Sequence, residues 1–153
     1  MNKSFRAKLE DGDTLHIRLS TNDGLTGYQI KKLELFPTEP GVTKGEHVVK
    51  LFSKEQLDAS GDPVVTGTIT FDDPLLLASA YLAMNDSAYY GNDMITVFDN
   101  MKFNQDIYVT HKDNATGVAV NVYIELEQVK LSKDEATMAT LKDMRAGPSS
   151  FAP

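Results

Sequence analysis

From residue 118 to residue 127 the chain alternates without error, with Val118, Val120, Val122, Ile124 and Leu126 interleaved with Ala119, Asn121, Tyr123, Glu125 and Glu127. Successive side chains of an extended chain point to opposite faces, so this is a long strand with one apolar and one wet face. Such a strand needs a partner edge and an apolar layer beneath it. The nearest partner in sequence is the stretch 105 to 111, and the turn-rich residues Lys112 to Gly117 between them predict a hairpin.

The same period recurs upstream. Phe5, Ala7 and Leu9 alternate with Arg6, Lys8 and Glu10, and Leu15, Ile17 and Leu19 with Thr14, His16 and Arg18. Asp11-Gly12-Asp13 between them predicts a tight hairpin turn, since an Asp-Gly step tolerates positive φ. A calcium loop would need further oxygen ligands and a terminal Glu at fixed offsets, which do not follow. After Tyr28-Gln29-Ile30 the apolar register slips by one to Leu33 and Leu35, predicting a β-bulge at Lys31-Lys32. Pro37, Pro40 and Gly41 break the chain before a short strand from His47 to Phe52, and a polar loop follows from 53 to 63. Thr66, Thr68 and Thr70 face away from Val65, Ile69 and Phe71, as in a strand with one wet face. In "DDPLLLASAYLAM", Asp73-Pro74 starts like a helix while Leu76, Ala78, Ala80 and Leu82 alternate, so we read a strand with a turn-like start. Met94 to Phe98 is a further strand.

The C-terminus changes character. Ser132-Lys133-Asp134-Glu135 forms a capping box for a helix over about 133–146, with Lys142 and Arg145 in its last turn and Gly147-Pro148 to stop it. Met138, Leu141, Met144 and Ala139 are expected to line its docking face. Residues 147–153 read as an extended tail in which Phe151 is an assembly anchor.

A chain of 153 residues is long enough for one domain without staples, and the absence of cysteine excludes disulfides, thiolate nucleophiles and cysteine-ligated zinc. The net charge is -7 and no basic cluster exceeds Lys31-Lys32, which argues against a nucleic-acid partner. No apolar run approaches the roughly 20 residues of a membrane span, and the first residues lack the apolar core of a signal peptide, so synthesis in the cytoplasm is expected.

Catalytic motifs are missing as well. His16, His47 and His111 fall on separate strands without a His-x-His pair, and no nucleophile elbow or phosphate-binding Gly-rich loop occurs, so no catalytic residue, metal or cofactor is expected. Asp72-Asp73 and Glu125/Glu127 are carboxylate pairs, but the second shares a solvated strand face. In "FNQDIYVTHKD", Asp106 points away from His111, while His111 and Asp113 are expected at the solvated mouth of the hairpin. Tyr89, Tyr90 and Tyr123 are the candidate interface residues, joined by Phe151 of the tail.

The stretches "VFDNMKFNQDIYVTHKD" and "VNVYIELEQVKLSKDEATMATLKDMR", and more weakly "SFRAKLEDGDTLHIRLSTNDG", resemble small virion proteins of marine tailed bacteriophages. The resemblance implies a non-enzymatic part of a particle. The expected fold is mainly β: a single antiparallel β-sandwich over 1–146, jelly-roll-like, with one C-terminal α-helix. The expected role is a capsid decoration or cement protein, a homo-oligomer that binds the major capsid protein or other virion subunits. A tail or neck component, or a soluble carbohydrate-binding sandwich, is the alternative.

Overall fold

The computed structural model describes residues 2–40, 44–84 and 93–146. Within them lie strands β1 (Asn2–Leu9), β2 (Thr14–Ile17), β3 (Thr26–Pro37), β4 (Gly45–Phe52), β5 (Leu76–Met84), β6 (Asp93–Phe98), β7 (Ile107–Asp113) and β8 (Val120–Lys130), then helix α1 (Lys133–Ala146). They form two antiparallel sheets, β1-β8-β3 and β2-β7-β4-β5-β6. The chain is mainly β with a sandwich-like core.

The order has a clear logic. The first strand pairs with the last, the second with the seventh, and successive strands β1 to β4 alternate between the sheets, which is the nesting of a jelly roll. β6 hydrogen-bonds to β5 and also meets the free edge of β3. There Thr96 Oγ1 donates to the Leu33 carbonyl at 3.0 Å, and the Leu35 amide donates to Met94 Sδ at 3.3 Å. Side chains thus satisfy part of an edge that a sheet partner would otherwise occupy.

Leu9, Ile17, Leu33, Val49, Leu51, Ile107, Val109, Val122, Ile124 and Leu126 fill the space between the sheets. The predicted bulge is present, with the β3–β8 register shifting between Ile30 and Lys32. Residues 73 to 84 resolve as read, a turn in which the Asp73 carboxylate accepts from the Leu75 amide at 2.9 Å, followed by β5. The capping box is formed too: the Glu135 amide donates to Ser132 Oγ at 3.1 Å and the Ser132 amide to Glu135 Oε1 at 3.2 Å.

Four expectations about the fold fail. Neither predicted hairpin exists: β1 and β2, and likewise β7 and β8, lie in different sheets. The turn at Asp11-Gly12-Asp13 is tight, with Gly12 at φ 87° and the Asp13 amide bonded to the Glu10 carbonyl, but it is a corner between sheets. Residues 64 to 70 form no strand; they belong to a long connection, 53–75, between the adjacent strands β4 and β5, and Phe71 is 68% exposed. The docking face of α1 is also shifted from that expected, with Ala139 half-buried beside Leu77 and Phe103 but Met138 and Leu141 not. Ala136 is buried and Thr140 Oγ1 accepts from Asn104 Nδ2 at 3.1 Å, while Met138 is 71% exposed and Leu141 faces outward. Small residues face the domain where the helix lies close over the loop at Gly24, a Cβ on which would sit 3.8 Å from Thr140 Oγ1. The side chain of Met144 and the tail 147–153 lie outside the described residues.

Candidate functional site

The stretch 103 to 113 carries a polar cluster at each end of β7, and both hold the chain together. At one end Asp106 Oδ1 accepts from the amides of Leu19 and Ser20, each at 2.8 Å, and Asp106 Oδ2 bonds His16 Nε2 at 2.7 Å. The His16 ring stacks on Tyr108 with centroids 4.5 Å apart. Burial alone would raise the Asp106 pKa, but the Ser20 amide, the His16 ring and the Leu19 amide overcome it and hold the carboxyl well below the usual range.

At the other end, Asp113 Oδ1 accepts from the amides of Glu46 and Ala115, and Oδ2 from the amide of Val118, each at 2.9 Å. These three donors outweigh burial and lower its pKa to about 2. Asp11 Oδ1 in turn accepts from the Asp113 amide at 2.8 Å. His111, fully buried, donates from Nδ1 to the Glu10 carbonyl at 2.9 Å, so its Nε2 is free to accept from His47 Nδ1, also at 2.9 Å. Gly45 makes room for that ring, because a Cβ there would sit 2.6 Å from His47 Nε2. Burial pushes the His47 imidazole down in pKa against the opposing pull of Asp113.

The expected solvated mouth is therefore a buried joint. His111 and Asp113 are covered because β7 is an interior strand between β2 and β4, and the turn from β1 packs over its end. His47 and His111, distant in sequence, are in contact because β4 and β7 pair in the register His47↔Asp113 and Val49↔His111. Among the described residues no group of three or more His, Asp or Glu side chains is arranged to hold a metal ion.

The surface that fits recognition lies elsewhere, on the outer face of β1-β8-β3. Register aligns Arg6, Tyr123 and Glu34 in one row and Lys8, Asn121 and Phe36 in the next. They line an open groove of about 630 Å³. Phe36 is 64% exposed, whereas Tyr123 is half-buried and donates from its hydroxyl to Glu125 Oε2 at 3.2 Å. Lys31–Glu127 and Lys32–Glu34 ion pairs border the face at 3.1 and 3.4 Å, exposed pairs worth about 0–1 kcal/mol each.

Of the sequence-predicted interface residues, Tyr123 is on this face; Tyr89, Tyr90 and Phe151 lie outside the described residues. Sequence reading missed Phe36. Its signal was the bulge at Lys31-Lys32, which resets the alternation and sends Phe36 outward between the buried Leu35 and Pro37. Glu125 belongs to a surface network, accepting from Asn2 Nδ2 at 2.9 Å as well as from Tyr123. No protein-family model matches this chain, and no curated protein matches it in sequence.

Proposed function

We propose that the protein is a non-enzymatic structural component of a bacteriophage virion, a decoration or cement protein that binds and stabilises the shell of major capsid protein. The observation that carries a binding role is the open sheet face on which Tyr123, Phe36 and Arg6 converge, side-chain types enriched at protein interfaces. The virion setting is supported by the sequence resemblance, and by analogy alone from the jelly-roll order, which recurs in capsid and lectin domains. In this reading the partners are virion proteins, including further copies of the chain, and neither nucleic acid nor lipid. The protein is made in the host cytoplasm and resides in the particle.

Mass spectrometry of purified particles tests this directly. The chain should be present in a copy number comparable to that of the shell subunits, and Phe36→Ser with Tyr123→Ser should reduce its retention on particles. A copy number of a few per particle would place it in the tail or neck instead. One observation favours a third reading: aromatic rings beside Asn121 and Glu34 on a sheet face also suit stacking on sugars. Absence from particles, with glycan binding lost in Tyr123→Ser, would establish a carbohydrate-binding module.

A further inference from the structure

Over β4 and β7 the outer face of the five-stranded sheet is covered by the 53–75 connection, and a polar row runs across the strands there. Register places Thr14, Thr110, Lys50 and Ser79 side by side across β2, β7, β4 and β5. Lys50 points to this outer face, because its neighbours Val49 and Leu51 belong to the core between the sheets. It is only 6% exposed.

The ammonium is incompletely partnered. Lys50 Nζ donates to the Thr68 carbonyl at 2.7 Å and to Thr66 Oγ1 at 3.2 Å, and lies 5.4 Å from the centre of the Phe52 ring. An ammonium carries three donors, so one remains, and no carboxylate among the described residues forms an ion pair with it. Burial lowers the Lys50 pKa, only partly countered by the more distant charge of Asp73. Beside it, Thr110 is 1% exposed and its Oγ1 has no hydrogen-bond partner. Buried charges and hydroxyls are ordinarily paired. Both side chains line one pocket of about 210 Å³, together with Phe52, Gln56, Leu57, Val64 and Thr66.

We propose that this pocket binds a small aliphatic carboxylate, with one oxygen accepting from Lys50 Nζ and the other from the Thr110 hydroxyl. The charge of the ligand would complete the lysine as an ion pair, through charge-assisted hydrogen bonds. Phe52, Leu57 and Val64 give the pocket one apolar wall, which suits a short hydrocarbon tail. That same wall disfavours sulfate or phosphate, because few donors would meet their remaining oxygens, the Gln56 side chain already donating to the Lys54 carbonyl at 2.9 Å. The volume admits only a small ligand, since pockets for drug-sized molecules begin at roughly 300 Å³. Nothing in this proposal depends on the virion reading.

Titration of the isotope-labelled protein with butyrate, acetate, sulfate and phosphate tests it by NMR. Butyrate should bind saturably and more tightly than acetate, shifting the Thr110 amide and the Leu57 and Val64 methyl signals. Lys50→Met and Thr110→Val should each weaken butyrate at least tenfold, and Thr110→Val, nearly isosteric, serves if Lys50→Met does not fold. The proposal is overturned if butyrate does not saturate, if its affinity survives in the folded variants, or if sulfate or phosphate binds the pocket in preference.

Discussion

The outer faces of the two sheets differ although similar strands build them. On β8 the outward residues Asn121, Tyr123, Glu125 and Glu127 remain partly solvated, and the inward ones are buried, so burial repeats the sequence alternation. On β4 every residue from His47 to Phe52 is buried, because the core covers one side and the outward Val48, Lys50 and Phe52 are covered as well. A strand shows its period in sequence only when one of its faces meets water. Where a second layer lies on top, outward positions become apolar or hold buried polar groups, and the pattern blurs.

Substituting Asp at adjacent positions breaks or sharpens this contrast most sharply. Val122→Asp should abolish folding, since an unpaired buried carboxylate costs several kcal/mol, of the order of a domain's whole stability of about 5–15 kcal/mol. Tyr123→Asp should leave a folded protein. On β4, by contrast, Val48→Asp and Val49→Asp should both unfold it, as seen by circular dichroism and thermal melting. A Val48→Asp protein that melts like the wild type would mean that the outer side of β4 is effectively wet.

A smaller effect is expected at the joint on the covered sheet. Asp113→Ala strips the acceptor from three backbone amides, for an expected loss of about 2–3 kcal/mol in urea unfolding. The pH dependence has a definite sign. The Asp113 pKa is lowered on folding, so its contribution is present above the ordinary carboxylate value of about 3.9 and is lost as pH falls toward about 2. His47 is lowered too, so the unfolded chain takes up a proton first, and stability should begin to fall as pH drops below about 6.5. His47→Gln, which keeps a donor toward His111, should remove the part of that fall due to His47. An unchanged pH profile between about 6.5 and 5 in this variant would show that the His47 ring is not what the pair protects.

The smallest effect belongs to the open face. Phe36→Ser and Tyr123→Ser should each change stability by no more than about 0.5 kcal/mol, because neither side chain fills the core. Chemical denaturation curves check this. A loss of several times that size would show the groove to be part of the domain's own packing and unsuited to a partner.

Most elements were legible because their signals are local. The β8 alternation, the bulge at Lys31-Lys32 and the Ser132/Glu135 capping box each depend on residues within a few positions of one another. The helix face was misjudged because apolarity marks what prefers burial, whereas the close approach of α1 to the Gly24 loop selected Ala136 and Thr140. The candidate sites were harder. Tyr123 could be read from its place on a wet strand face, but the Lys50–Thr110 pocket joins residues whose adjacency exists only in the β4–β7 register.

By itself, then, the sequence determined most of the strands, the inward face of β8, the bulge, the helix start and the tight turn at Gly12, all set by backbone sterics and side-chain period. Only the tertiary structure decided that this turn is a corner between sheets, that β7 lies between β2 and β4, and that His47 meets His111. The reason is physical. A turn residue fixes local dihedral angles, but which edges pair depends on burying both sheets' apolar faces at once, a condition on the whole chain that no short window of residues contains.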